Sequence, residues 1–368
     1  MSEVAEEENV VIADTFHCNN CGSKLNYKPG TTSLKCGYCD TENAIPSMPS
    51  NIEELDFHDY VVKSADANDK IKVDTINCSN CGAHTTIDEK HETTHCPYCS
   101  QPVLTSDARS EDIIRPKSLL PFAFDKNEAI KKVRKWLHKS WFIPNDVKKA
   151  TLNFKQFKAL YLPYWTFDSQ THSYYVGQRG DAYYENKSVT RIVDGKSQVQ
   201  NQQVRKIRWT NVSGQLDEFF DDVLVPASHS VPKKYAGSLT NWDLQNLTNF
   251  DSSYLSGFVT EVYQVGLEDG FAIGKQEMER RIRSSVKRQI GGDEQRILSV
   301  ESEFNEIKFK HILLPLYISA YTYKGKLYQA IINGRTGDIK GERPISWVKV
   351  AIVIAIVVLA IAAFAYFA

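Results

Sequence analysis

No GxSxG or GxGxxG pattern occurs in the 368 residues, which removes the nucleophile elbow of serine hydrolases and the dinucleotide fingerprint. The one Gly-Lys-Ser string, Gly195-Lys196-Ser197, has Thr190 where a phosphate-binding loop needs its first glycine, so it is no Walker A motif. A basic-then-apolar leader is missing too: Met1 to Asn9 is acidic, and export to an oxidising compartment is not expected. Cysteine is absent outside two short frames, which leaves no spare thiol nucleophile. Asp221-Asp222, framed by Phe219-Phe220 and Val223-Leu224-Val225, is the one carboxylate pair that stands out, and it reads as a turn or strand-end pair. No catalytic residue is assigned, and a non-enzymatic protein is expected.

What is present begins with the 8 cysteines. They fall into Cys18-x2-Cys21-x14-Cys36-x2-Cys39 and an identical Cys78-x2-Cys81-x14-Cys96-x2-Cys99. Two CxxC knuckles about fifteen residues apart can close over one tetrahedral ion, and zinc ribbons are built this way. Gly22 and Gly82 follow the second ligand of each frame, where a tight turn favours positive φ. Phe16 to Ser23 aligns with Ile76 to Ala83, so the frames read as an internal duplication.

Two structural Zn2+ ions are the expected cofactors, because four thiolates leave no open coordination position. Disulfides and redox-active CxxC pairs are weaker readings. Iron is the strongest rival, since Cys96-Pro97-Tyr98-Cys99 looks like half of a rubredoxin site, although the first frame lacks that proline. His17 and His95 stand beside ligands and read as flanking residues. Each ribbon is too poor in apolar residues to fold on burial alone, so metal binding is expected to contribute ~10 kcal/mol or more per site.

At the other end, Val350 to Ala368 carries no charge, glycine or proline, and from Trp347 the apolar run spans about 33 Å as a helix. That matches a bilayer core. Trp347 and Tyr366-Phe367 sit where interfacial aromatics belong, and Lys340, Arg343 and Lys349 keep the bulk of the chain cytoplasmic under the positive-inside rule. A single-pass, tail-anchored membrane protein is expected. Ala351 and Ala355 have the small-xxx-small spacing at which two anchors pack, the one hint of a homodimer.

The net charge of −1 hides a split: residues 1–110 hold 8 Lys+Arg against 18 Asp+Glu, and the rest 36 against 27. An acidic ribbon half is the wrong sign for gripping phosphate backbones, so nucleic acid is not the expected partner. It suits a basic body near an anionic leaflet, with the ribbons held out for protein partners.

The expected organisation is an acidic disordered tail (1–14), ribbon 1 (15–45), a linker (46–74), ribbon 2 (75–106), a mixed α+β body with antiparallel sheets (107–346) and a transmembrane anchor (347–368). Pro102 to Ser110 reads as a polar connection. Helices are expected over Asn127–Ser140, with Ile130, Val133 and Leu137 on one face, and over Gln276–Ile290, with Met278, Ile282, Val286 and Ile290 at four-residue spacing. Tyr174 to Phe220 alternates as antiparallel strands do.

Leu160-Tyr161-Leu162-Pro163-Tyr164-Trp165 matches Ile312-Leu313-Leu314-Pro315-Leu316-Tyr317, and Phe122-Ala123-Phe124 matches Phe271-Ala272-Ile273. The body therefore reads as a duplicated helix-hairpin unit, similar to PepSY-type or cystatin-like modules. Both helices are rich in cations: Lys131, Lys132, Arg134, Lys135 and Lys139 on the first, and Arg280, Arg281, Arg283, Lys287 and Arg288 on the second. A solvated outer face is the plain reading, with lipid headgroups or nucleic acid as alternatives.

Ribbons, aromatic body and anchor together resemble a bacterial family of zinc-ribbon membrane proteins often labelled primosomal or replication-restart helicase-like. The segments that carry the resemblance are Leu162-Pro163-Tyr164-Trp165, Phe220 to Ser228, Tyr254 to Phe258, Phe309 to Pro315, and Asn333 to Gly337 with Gly341 to Pro344. The helicase label rests on the paired knuckles, and without a nucleotide-binding loop neither ATPase nor unwinding activity carries over. The resemblance implies partners of the flotillin-like (SPFH) class within envelope-stress systems at the bacterial inner membrane. The function expected is a tail-anchored scaffold; the alternative is a membrane-tethered nucleic-acid-binding or replication accessory.

Overall fold

The structure, a computed structural model, describes residues 15–46, 52–62, 70–86, 93–99, 101–149, 157–193, 196–231, 235, 239, 241–324 and 326–367. The acidic tail, Gly195 and Gly325 lie outside them. The fold is mixed α+β with largely antiparallel sheets, two N-terminal four-cysteine clusters and a C-terminal apolar helix.

Ribbon 1 is a small antiparallel sheet of β1 (Leu25–Tyr27), β2 (Ser33–Cys36) and β3 (Glu42–Ala44). Gly22 and Gly82 adopt φ of +73° and +74°, as the knuckles require. Their amides donate back to Cys18 O and Cys78 O, each at 2.8 Å. The Cys36 amide donates to Thr41 O and the Cys96 amide to Gln101 O, so the duplication reaches the backbone bonds.

The stretch expected to be a linker contributes structure. Within it β4 (Leu55–Asp56) pairs with the body, and α1 (Phe57–Val62) places Phe57 against Phe167, Phe271 and Phe309. The sheet around ribbon 2 is β5 (Lys70–Asn77), β6 (His84–Thr86) and, beyond β7 (Thr93–His95) and β8 (Pro102–Leu104), β9 (Arg109–Ile114). Pro102 to Ser110 is therefore strand and 3-10 turn rather than a free connection; its polarity reflects the exposed faces of β8 and β9.

The body runs β10 (Ser118–Leu119), α2 (Lys126–His138), α3 (Asn145–Lys149), β11 (Phe157–Val193), β12 (Lys196–Pro226), β13 (Thr248–Asn249), β14 (Val259–Thr260), α4 (Leu267–Ile290), β15 (Glu294–Tyr323), β16 (Lys326–Asn333) and β17 (Ile339–Gly341). At its centre β11 and β15 pair antiparallel, with Leu162 opposite Leu314, Tyr161 opposite Pro315 and Pro163 opposite Leu313. The two matched sequence segments thus lie against each other about a local two-fold axis.

The bonds around that axis repeat. β10 runs parallel to β15 at Ile312-Leu313, and β14 runs parallel to β11 at Leu160-Tyr161. The amides of Leu120 and Glu261 donate to Leu313 O and Tyr161 O, and those of Ala227 and Gly334 to Pro163 O and Pro315 O. Trp165 Nε1 donates to Val265 O at 2.9 Å, and its counterpart Tyr317 donates its hydroxyl to Phe124 O at 2.5 Å. The two prolines sit where each strand changes its outer neighbour, from β14 to β12 and from β10 to β16, so the missing N–H leaves no ladder bond unmade.

The duplication corrects one expected correspondence. The counterpart of Phe122–Phe124 is Tyr263–Val265, and Phe271–Ile273 lies inside α4, which starts at Leu267 rather than Gln276. Gly270 and Gly274 are contact positions on α4: a Cβ at Gly270 would stand 2.6 Å from Trp165 Cδ1, and one at Gly274 3.0 Å from Phe167 Cδ2. The expected apolar face of α4, Met278, Ile282, Val286 and Ile290, is buried in full. In α2, Ala129, Val133 and Leu137 are buried, and Asp125 caps the helix by accepting from the Glu128 amide at 2.8 Å. Gly266 holds the same cap position on α4 with no side chain.

Gly270→Ala is expected to destabilise the detergent-solubilised protein by about 1–3 kcal/mol through overpacking on Trp165. Gly266→Asp, with nothing within 4 Å of its new Cβ, should stabilise by a few tenths of a kcal/mol through capping. Chemical unfolding midpoints measure both.

Candidate metal centres

The Sγ atoms of Cys18, Cys21, Cys36 and Cys39 all lie within 4.8 Å of one another, as do those of Cys78, Cys81, Cys96 and Cys99. Cys18 to Cys39 is 3.6 Å and Cys21 to Cys36 is 3.5 Å; Cys78 to Cys99 and Cys81 to Cys96 are both 3.5 Å. A tetrahedron of thiolates 2.3 Å from a zinc ion has edges of about 3.8 Å, so both clusters are preshaped for such an ion. All eight thiols are free of disulfides.

Knuckle amides point at the sulfurs, Asn20 N–H to Cys18 and Tyr38 N–H to Cys36, each at 3.4 Å. The Thr41 side chain, with Sγ to hydroxyl at 3.2 Å, and the Thr41 backbone draw the Cys39 thiol down to about 5. Soft sulfur donors in fours fit zinc, and a filled four-sulfur shell excludes substrate. Cys18, Cys36, Cys78 and Cys96 are buried, whereas Cys21 and Cys81 face solvent. His17 and His95 are exposed beside the completed clusters.

An HExxH pattern is not expected from the sequence, yet His91-Glu92-Thr93-Thr94-His95 spells it, which corrects that expectation. That pattern binds zinc when a helix puts both histidines on one face. Here Thr93–His95 is a strand, and residues 91 and 92 lie outside the described set.

The ribbons are docked on the body, which corrects the expectation that they are held out. In ribbon 1 the Tyr27 ring meets Tyr254 at 5.1 Å, the Ser256 hydroxyl donates to Leu25 O at 2.7 Å, and the Gly30 amide donates to Phe122 O at 2.8 Å. In ribbon 2 the Val262 amide donates to His84 O and Gln264 Nε2 to Gly82 O. The deepest contact is polar. Tyr98, between the last two cysteines, donates its hydroxyl to Glu261, which is 1% exposed and also accepts from Ser228 at 2.5 Å and from Ser230. Burial pushes the Glu261 carboxyl up to about 7, against the three hydroxyl donors.

Asp221 and Asp222 sit at a bulge, where the β11–β12 register shifts between Phe167 and Ser169 and Asp222 takes φ of +48°. With Asp168 they offer oxygens within 4.8 Å of one another. The buried Lys310 ammonium already occupies that cluster, 2.8 Å from Asp222 and 3.0 Å from Glu54. Burial lifts Asp168 to about 6. The basic helix α4 is partly neutralised on its surface, since Arg280 and Arg281 both bind Glu277.

The last helix, α5 (Trp347–Phe367), is long and apolar enough to cross a membrane: over Trp347–Tyr366 its mean hydropathy is 2.9 and none of it is buried. Its root is fastened to the body. Lys349, expected as a flanking surface charge, donates to Trp141 O at 3.0 Å and to Ile143 O and Asn145 Oδ1 at 2.8 Å, and the Ser346 amide donates to Phe142 O.

The chain is 24% identical over 344 residues to an uncharacterized protein, YdjG, of Bacillus subtilis (strain 168), with 92% of each chain covered. It is a distant homologue of that protein. No protein-family model matches the chain, and no solved structure does.

Two measurements follow from these contacts. Elemental analysis is expected to return about two zinc per chain, and Cys78→Ser should lose one of them while raising hydrogen exchange across 70–114 and leaving 15–46 protected. The raised carboxyl of Glu261 gives a stabilisation that is complete below about pH 4.5 and lost as the pH rises through about 7. Glu261→Gln should remove a pH slope of roughly 1 kcal/mol in the unfolding stability of zinc-loaded protein between about pH 6 and pH 8, the upper part of a window that opens near pH 4.5.

Proposed function

We propose that this chain is a tail-anchored membrane scaffold whose two structural zinc ribbons, clamped on the α+β body, present a fixed surface to protein partners. The observation that carries the reading is the pairing of closed four-thiol clusters with an unburied apolar helix locked to the same body through Lys349. Closed metal shells supply shape rather than chemistry. An anchor held at its root confines the body to a membrane surface. The cations Lys340, Arg343 and Lys349 beside that helix support a cytoplasmic position for the bulk of the chain.

The partner class proposed is a flotillin-like (SPFH) membrane complex, which the family resemblance implies. Cys78→Ser should abolish recruitment while membrane insertion persists; loss of insertion would count against the scaffold. The decisive experiment is an affinity pull-down of tagged full-length protein from gently solubilised native membranes, with nuclease, read by mass spectrometry. Membrane proteins in the eluate would support the scaffold. Replication proteins that vanish on nuclease treatment would overturn it in favour of a tethered nucleic-acid module.

A further inference from the structure

Over Gln170–Gln178 the strands β12, β11 and β15 form a three-stranded sheet with α4 packed on one face. Thr171, Ser173 and Tyr175 are buried on the helix side, and the residues that alternate with them point the other way. On that bare face Tyr174, Val176, Phe219 and Leu298 are 45% to 63% exposed. Carboxylates are set among them: Asp217 and Glu303 flank His172 on the neighbouring strands, and Glu301 stands opposite Tyr174. Asp217 pairs with His172, whereas Glu301 and Glu303 are exposed and have no ion pair among the described residues. Cations at the two ends of this stretch are engaged elsewhere, Lys308 with Glu54 at 3.6 Å and Arg296 over the Trp209 ring at 3.8 Å.

The other side of the same layer carries the complement. Because α4 buries Met278, Ile282, Val286 and Ile290 against the sheet, Ile273, Arg280, Arg283 and Lys287 form the stripe that faces away from it. All four are exposed. Arg280 binds Glu277, but Arg283 and Lys287 have no carboxylate partner among the described residues. Stripe and patch lie back to back: Ser285 bonds Glu218, which is opposite Thr171, and Ile290 stands over Gly177. The stripe from Ile273 to Lys287 is about 21 Å long, and the patch about 26 Å.

We propose that the bare sheet face docks α4 of a second copy of this chain, with Arg283 and Lys287 meeting Glu303 and Glu301. A shift of one copy along the sheet normal, with no rotation, brings these cations to the level of those carboxylates and lays the helix along Tyr174, Val176 and Phe219. Two bare faces could not pair with each other, since that sets carboxylates against carboxylates. The head-to-tail operation repeats without closing, so it builds a row in which sheet and helix layers alternate and every α5 points the same way. Three strands about 4.8 Å apart give a footprint of roughly 14 Å by 26 Å, under half of the ~800 Å² a side of a stable complex. The row therefore forms where a bilayer concentrates the chain, and in that respect the inference rests on the reading of α5 as an anchor.

The test reconstitutes unlabelled and heavy-nitrogen-labelled full-length protein together in phosphatidylcholine liposomes, recovers them by flotation, and treats them with a carbodiimide, which joins a carboxylate to a lysine amine without a spacer. Within one copy Lys287 and the two glutamates lie on opposite faces of the sheet, so peptides that join them link two copies. Mixed-isotope links from Lys287 to Glu301 and Glu303, and a ladder of products beyond the dimer, are expected. Arg283→Glu, which keeps the reactive amine, should cut the Lys287–Glu301 yield about fivefold, and adding Glu303→Lys to it should restore that yield. Links from the two glutamates to lysines outside α4, or no mixed-isotope link in floated liposomes, would overturn the stacking while leaving the anchor intact. Failure of the chain to float with the liposomes would overturn the anchor reading and the row with it.

Discussion

The antiparallel pairing of β11 with β15 across Leu162 and Leu314 is the constraint on which the other contacts depend. A strand is specified in steps of two, so a slip of one residue would turn the buried row Tyr161, Pro163 and Trp165 to the opposite face. The same slip would take the carbonyls of Pro163 and Pro315 from Ala227 and Gly334, and would move Trp165 and Tyr317 off the segments that lead into α4 and α2. Register, helix placement and the seats for both ribbons are therefore one problem. Ribbon 1 rests on Phe122 and Ser256, and ribbon 2 on residues 260–264, all of them in segments positioned by that central pair.

Metal binding and docking act together on the ribbons. The short strands of ribbon 1 bury little besides Leu25, Tyr27, Leu34 and Cys36, and those side chains belong to the same apolar cluster as Phe122, Tyr161 and Tyr254. An ion that orders the knuckles presents Tyr27 and Tyr98 in the geometry the body accepts. The buried Glu261 carboxyl then gains its third hydroxyl only from a folded ribbon 2. Without Tyr98 it would keep two donors in a site from which water is excluded, a costly position for a carboxylate.

The eight cysteines, the turns at Gly22 and Gly82, the buried faces of α2 and α4 and the apolar end of the chain were all legible in the sequence, because each rests on spacing within one element. The match of Leu160–Trp165 with Ile312–Tyr317 was legible as likeness, but its meaning as a face-to-face pair was not, since sequence distance says nothing about which strands meet. Phe271–Ile273 misled because its likeness to Phe122–Phe124 is one of residue type alone, and so short an apolar triplet has no period that separates a helix turn from a strand. Leu55 to Val62 was hidden because a two-residue strand and a single helical turn are too short to show a period. Glu261 and Lys310 carried a faint signal, a charge inside an apolar run, yet nothing local said which distant groups would meet them.

The third strand of the central sheet stops at Glu294, opposite Gly180, while β11 and β12 continue to Val193 and Lys196. Thirteen residues beyond Gly180 extend about 40 Å as a ribbon of only two strands. Helix α4 ends at Ile290, level with Gly177, so the ribbon loses its stiffening helix and its third strand within a few residues. Bending compliance is thus concentrated at Gly177–Gly180, the root of a cantilever. A partner that grips the tip would pull on the body through one joint.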